Sequence, residues 1–342
     1  MSNLKTNKKI GFSVAALLKD AGITARHCEI IPLQGGNNRV YRLIADNDQY
    51  ILKRYYVSHD DHRSRLSAEY IFLEFVREIS VRNVPKPVFC DPARHLALYQ
   101  YIEGKKPGKN EIGKMHVINA LNFIEAINIR NDTDTRSALR IGMASDYCPH
   151  IREYVNSVNE RVKRLSLISF DAQINKRAKE FIFNTVIPEW EKIKAKIRNS
   201  KRKYPDLLEA DLILSPSDFG FHNSIVNPAG DIFFIDFEYA GWDDPLKMVC
   251  DFFCQPERPV PLKYLEYFIE RTERMVCPAY DFRGKIMLLL PLFRIKWCCI
   301  VLNDFLNIDF KRRQYAFFNE DRREKQLAKA LDYFARHFTR LF

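Results

Sequence analysis

The period of the apolar positions changes along the chain, and the change divides it. Residues 12–22 carry apolar side chains at helical spacing and predict a short leading helix. Three alternating runs follow at Glu29–Leu33, Arg39–Ala45 and Gln49–Tyr56, which predict strands. The links between them, Gln34-Gly35-Gly36-Asn37-Asn38 and Asp46-Asn47-Asp48, consist of residues that tolerate the positive φ of hairpin turns. Residues 63–80 return to helical spacing, with Leu66, Tyr70, Leu73 and Val76 near one face. Val84-Pro85-Lys86-Pro87 leads to two further strands, around Val88–Cys90 and His95–Tyr101. Beyond Tyr101 the pattern is mostly helical, over 110–130, 149–167, 170–200, 261–275, 284–307 and 311–340. One β-rich island, residues 211–239, interrupts it. The order predicts an α+β chain. A five-stranded antiparallel sheet with one helix occupies residues 1–101, and a larger, mainly helical lobe occupies 102–342, the boundary falling near Tyr101–Gly104.

Composition narrows the class without naming a function. Of 342 residues, 46% are hydrophobic and 13% aromatic, enough for a sizeable core and incompatible with a wholly disordered chain. The formal charge of +11 leaves nucleic acid, anionic membrane and phosphate ligands open. Seven basic residues and no acid fall in 192–204, however, so the charge is concentrated in one segment. That segment reads as a solvated helix end whose Lys and Arg complement the macrodipole, and no specific nucleic-acid partner is expected. The eight cysteines include no CxxC pair and no His cluster, which argues against a zinc site and for free thiols in a reducing, cytoplasmic setting. The apolar run Ile286–Phe293 is too short to span a bilayer and contains Pro291; it predicts a buried helix and no membrane partner. The N-terminal apolar stretch is broken by Lys19 and Asp20 and is not read as a signal peptide. Walker A, GxSxG and HExxH patterns are absent.

The chemistry lies in the island. Ser215-Pro216-Ser217-Asp218-Phe219-Gly220-Phe221-His222-Asn223 precedes Ser224–Asn227, a turn at Pro228-Ala229-Gly230-Asp231, and Ile232-Phe233-Phe234-Ile235-Asp236-Phe237-Glu238. A hairpin over 224–235 gathers Asp218, Asn223 and Asp236 at one mouth. Phosphoryl transfer from ATP uses such a set: one carboxylate for the accepting hydroxyl, an amide oxygen and a second carboxylate for Mg²⁺. Any one of these residues alone reads more readily as turn chemistry; the joint spacing does not.

This stretch resembles the aminoglycoside phosphotransferase and choline kinase group, relatives of the protein kinases, whose pattern runs roughly H-G-D-x₄-N, a hairpin, then I-D-(F/W)-E. The likeness continues through Ile235–Trp242 and Asp244-Pro245. It implies a protein-kinase-like two-lobed fold, Asp218 as catalytic base, and Asn223 and Asp236 as Mg²⁺ ligands. One departure stands out. The family's usual His two residues before the base is Pro216 here, and the intervening Gly is Ser217, which leaves open an altered loop support or lost activity. His222, between two proposed functional residues, is given a structural role.

The same resemblance orders the small lobe. Gly35, Gly36 and Asn37 supply a turn whose amides face phosphate oxygens. Lys53 sits on the third strand where a phosphate-contacting lysine belongs, and Glu69 in the following helix is chosen as its partner over Glu74 and Glu78. Leu98–Gly104 resembles the adenine-holding hinge, with Gln100, Tyr101 and Ile102 at the base edge and Ile51 and Ile235 flanking the ring. The expectation is an ATP- and Mg²⁺-dependent kinase for a hydroxyl on a small molecule. Glu238, Asp243, Asp244 and Glu257 suggest an acidic wall for a cationic acceptor such as an amino-sugar or choline-like amine. A catalytically inactive nucleotide-binding module and a basic nucleic-acid-binding protein are the alternatives.

Overall fold

The computed structural model describes residues 14–33, 35, 37–57, 64–128, 140–169, 172–200, 211–306 and 322–339. Gly36, residues 201–204 of the basic segment and residues 311–321 of the last predicted helix lie outside them.

Five antiparallel strands form the small lobe: β1 (Cys28–Leu33), β2 (Arg39–Ala45), β3 (Asp48–Arg54), β4 (Pro87–Asp91) and β5 (Leu96–Gln100), in the order β1-β2-β3-β5-β4. The period of two sorts their side chains. Tyr41, Leu43, Leu52, Leu96 and Leu98 turn to one face and bury against Val14, Leu17 and Leu18 of α1 (Val14–Asp20). Lys53, next to Leu52, therefore points to the opposite face, with Tyr55, Ala97 and Tyr99. That face is covered by α2 (Arg65–Glu78), whose Leu66, Phe72, Leu73 and Val76 are buried. Ser64 caps α2 by accepting from the Ser67 N–H at 3.2 Å.

The chain leaves the sheet through Gly104, at φ +144°, where an added Cβ would lie 2.2 Å from the Val226 carbonyl oxygen. Only Gly fits this left-handed, close-packed crossing. Lys105 then pairs with Val226, so the linker is stitched to the hairpin over 224–235.

The large lobe contains α3 (Lys114–Ile127), α4 (Ile151–Ser166), α5 (Gln173–Phe181), α6 (Ile187–Ser200), α7 (Pro245–Cys254), α8 (Leu265–Val276), α9 (Phe282–Val301) and α10 (Arg323–Phe334). A π-helical turn, Ile182–Val186, joins α5 to α6 just before Pro188, which lacks the N–H of a regular helix. Two short sheets carry the island: β6 (Ile213–Ser215) with β9 (Gly241–Asp243), and β7 (Ser224–Val226) with β8 (Ile232–Phe234). The predicted hairpin is thus present; β9 extends the island past its predicted end at 239. All ten residues of α7 are buried. Helix α9 and the turn after it, Phe282–Phe305, are long and apolar enough to cross a membrane by composition, a longer stretch than the run around Pro291 suggested. Yet 72% of its most apolar stretch is buried within the lobe.

Candidate active site

The loop that carries Asp218 is pinned by its alternate residues. Phe219 packs on Phe123, Phe234 and Phe252, with ring centroids 5.0–5.8 Å apart, and Phe221 packs on His116 and Phe252. With these rings sunk in the core, Asp218 is left at the surface of the cleft. A turn at Phe221–Asn223 follows, closed by the Asn223 N–H to the Gly220 carbonyl at 3.0 Å. The Ile235 N–H donates to the Asn223 carbonyl at 3.0 Å, which ties the two ends of the hairpin and sets Asn223 beside Asp236. Asp236 adopts φ +68°, and the next residue, Phe237, stacks on Phe72 of α2 at 4.8 Å. The buried ring holds the acid in a backbone conformation it would not choose freely.

Lys53 meets this group from the sheet. Its Nζ donates to Glu69 Oε2 at 2.6 Å, contacts Asp236 Oδ1 closely, and lies 4.0 Å from Glu238. Burial would pull the Lys53 ammonium down, but Asp236, Glu69 and Glu238 overcome it and hold the group well above the ordinary lysine range. The choice among three glutamates is settled by burial: Glu69 lies within the apolar face of α2, whereas Glu74 and Glu78 are exposed. Tyr55 donates to Glu69 Oε2 at 2.7 Å and sits 2.6 Å from the Tyr99 hydroxyl, so the carboxylate is satisfied inside the lobe.

Asp218 is held by two neighbours. His222 Nε2 lies 3.1 Å from Oδ1, and the Asn223 amide donates to the Asp218 carbonyl at 3.0 Å and to Oδ2 at 3.3 Å. Burial pushes the Asp218 carboxyl up. His222 and Asn223 more than offset that and hold it below the usual range, so the group is ionised at neutral pH. His222 thus contacts Asp218 directly, which is compatible with the structural role expected from sequence. Because Asn223 spends its Nδ2 on Asp218, its Oδ1 remains an acceptor, and Asp236 keeps Oδ2 beyond its contact with Lys53. One amide oxygen and one carboxylate suit Mg²⁺, a hard ion that takes few protein ligands and completes its shell with phosphate and water.

The substitution of Pro216 and Ser217 for the usual His-Gly has a structural answer. Ser217 adopts φ +64°, and the Asp218 N–H closes a tight turn on the Pro216 carbonyl at 2.9 Å. Lys247 of α7 supports this turn, donating to Ser217 Oγ at 2.8 Å and to Asp243 Oδ2 at 2.7 Å. Ser217 Oγ donates in turn to the Ser145 carbonyl at 3.2 Å. Nothing in local sequence marks Lys247, because the contact spans thirty residues. Lys106 was also missed. It donates to the His222 carbonyl at 2.6 Å; burial lowers its basicity against the pull of Asp236 and Asp218.

The remaining expected residues fall into two groups. Gly35 has no room for a side chain, since a Cβ would lie 2.3 Å from the Asn38 carbonyl oxygen. Asn37, expected at the phosphates, reaches across to Glu238 Oε1 at 3.4 Å and the Tyr239 hydroxyl at 3.1 Å, while Asn38 donates to Glu238 Oε2 at 2.6 Å. In the hinge, the Gln100 N–H is committed to the Lys86 carbonyl at 2.9 Å and the Tyr101 N–H to the Gln49 carbonyl at 3.4 Å; Ile102 follows them, buried. The acidic wall does not form. Glu238 faces Asn38 and Arg65; Asp243 pairs with Lys247; Asp244 caps α7 and accepts from Tyr154 at 3.0 Å; Glu257 pairs with Lys329. These acids follow Asp236 in sequence, but each is paired within the protein, Glu257 at the surface and the other three in the interior.

A family model for the phosphotransferase enzyme family matches residues 29–274. The chain belongs to that family. Comparison with curated proteins found no match. Among solved structures, a spectinomycin phosphotransferase in complex with ADP and spectinomycin is similar over 99% of this chain and 96% of its own, at 16% identity and a TM-score of 0.63. A choline kinase from Streptococcus pneumoniae covers 94% of this chain and 99% of its own, at 16% identity and TM-score 0.55. An ethanolamine kinase from Plasmodium vivax covers 90% and 82%, at 17% identity and TM-score 0.52. The likeness drawn from the island is borne out, as is the protein-kinase-like, two-lobed α+β fold of this phosphotransferase.

Proposed function

We propose that the protein is an ATP-dependent kinase that transfers the γ-phosphoryl group to a hydroxyl of a small molecule. The observation that carries this reading is the meeting of Asp218, Asn223 and Asp236 with the buried Lys53–Glu69 pair at one mouth, from segments as far apart as residues 53 and 236. Lys53, fixed by Glu69, binds the nucleotide phosphates. Asn223 Oδ1 and Asp236 hold Mg²⁺, which when bound neutralises the charge of the phosphates. Gly35 keeps the phosphate-facing turn narrow, and Asn37 latches that turn to the large lobe through Glu238 and Tyr239. Ile102 presents the backbone to the adenine edge, since the Gln100 and Tyr101 amides are spent on holding the hinge. Lys106 adds a second cation beside Asp236 and Asp218.

Asp218, ionised at neutral pH, orients the acceptor hydroxyl and takes its proton as the oxygen attacks in line. The Lys247–Ser217 contact supplies the loop support that a His would otherwise give, which favours an active enzyme over a nucleotide-binding module. The test is D218N with Mg²⁺-ATP and a panel of hydroxyl compounds, with product read by mass. Loss of about 10²–10⁴-fold in turnover with ATP binding retained is expected. Turnover equal to the unaltered protein would sink the assignment.

A further inference from the structure

Beside Asp218 lies a cleft of about 370 Å³ that does not include Lys53, Asn223 or Asp236 in its lining. It shares the base with the phosphate site but not the metal pair, which is where an acceptor must sit. Its volume suits a small polyol or sugar. The charge of its walls is the informative feature. Arg65, Arg161, Arg164, Lys247 and Lys296 line it, against the carboxylates Asp146, Asp218 and Asp251.

Each of these carboxylates already has a partner within the protein. Asp251 accepts from Lys296 at 3.0 and 3.1 Å and from the Trp297 indole at 2.7 Å, and lies 3.7 Å from Lys247. Asp146 pairs with Arg161 at 2.9 Å. Asp218 is held by His222 and Asn223 and has the acceptor hydroxyl as its task. Four of the cations are paired as well, Lys247 with Asp243, Lys296 with Asp251, Arg65 with Glu238 and Arg161 with Asp146. Arg161 bonds Asp146 through Nη2, and the Arg164 guanidinium, one turn along α4 and exposed, has no carboxylate partner among the described residues. A guanidinium at the cleft wall with no carboxylate of its own offers an anionic oxygen a charge-assisted hydrogen bond.

We infer that the acceptor carries an anionic group, a phosphate ester or a carboxylate, which Arg161 and Arg164 bind while its hydroxyl faces Asp218. The inference rests on the kinase reading for the use of the cleft, and it names the substrate class. It replaces the cationic acceptor expected from the acidic residues that follow the metal motif.

The experiment uses the full chain and a panel of hexoses and inositols, each as the neutral compound, the amine, the carboxylate and the phosphate ester. Binding is measured by calorimetric titration, and transfer from Mg²⁺-ATP by product mass. At least one anionic form is expected to bind about tenfold or more tighter than its amine counterpart, with affinity falling as salt rises. Comparing the carboxylate and phosphate arms identifies the group. R164Q, at an exposed position, is expected to weaken that binding about tenfold, and R161Q at least as much, with ATP affinity retained. Thermal melts confirm that both variants are folded. Amines binding or reacting as well as the anions, no anion binding at all, or R164Q and R161Q both leaving anion affinity unchanged would each overturn the inference. Anion binding with no transfer from ATP would instead overturn the kinase reading and leave the binding site standing.

Discussion

Lys247 offers the sharpest test of how the catalytic loop is held. Its ammonium is about 1% exposed and bonds Asp243, which is fully buried, at 2.7 Å and Ser217 at 2.8 Å. In K247M the aliphatic volume is kept and the charge removed, so Asp243 is left as a buried carboxylate without its cation. Breaking one side of a buried pair costs about 3–5 kcal/mol, and the lost bond to Ser217 adds about 1 kcal/mol. Asp243 escapes part of this by taking up a proton, so the penalty should be smaller at pH 5 than at pH 8. The double variant K247M/D243N removes the stranded charge. Asn at 243 still accepts the Asp244 N–H, a bond of 3.0 Å in this structure. The double variant should therefore recover about 2 kcal/mol or more relative to K247M, a coupling that urea midpoints at constant slope would report. Ser217 stays unsupported in both, so turnover should remain low even where stability returns. A K247M variant within about 1 kcal/mol of the unaltered protein, or a double variant no more stable than K247M, would refute the reasoning.

Two further outcomes follow from the same geometry. E69A should lower kcat/KM by about 100-fold or more because it frees Lys53, whereas E74A, at an exposed position, should change it less than about threefold; equal effects would dissolve the pairing. Burial raises the Asp244 carboxyl from 3.8 to about 6, so the folded state binds the proton more tightly than the unfolded state. Its contribution is then present below pH 3.8 and lost as pH rises through about 6, a change of roughly 3 kcal/mol. D244N keeps a capping oxygen and removes the titration, so its stability relative to the unaltered protein should rise over that window in urea titrations at stepped pH; parallel curves would contradict the assignment.

The elements were legible because they depend on neighbours in the chain. Alternation places Lys53 opposite Leu52 whatever covers the sheet, and the turn at 228–231 returns Asp236 to Asn223 through a short hairpin. The D-x₄-N spacing, the hairpin length and the strand position of Lys53 were therefore enough to bring Asp218, Asn223, Asp236 and Lys53 together. Sequence distance could not choose among Glu69, Glu74 and Glu78. Burial on one face of α2 did, because only one of the three points into the cleft.

The acceptor end was decided by tertiary structure alone. Asp243, Asp244 and Glu238 look available as neighbours in a string of acids. Their partners Lys247, Tyr154 and Arg65 arrive from three different helices and Asn38 from the turn before β2, and a carboxylate that is bonded internally no longer shapes the field outside. Arg161 and Arg164 lie more than fifty residues before Asp218, on a helix whose sequence shows only an ordinary charged face. Charge in a sequence is a count, whereas charge in a cleft is what remains after each group has found its partner. Local order determined which residues meet around Asp218; long-range packing determined which of the charges beside it are left without a partner.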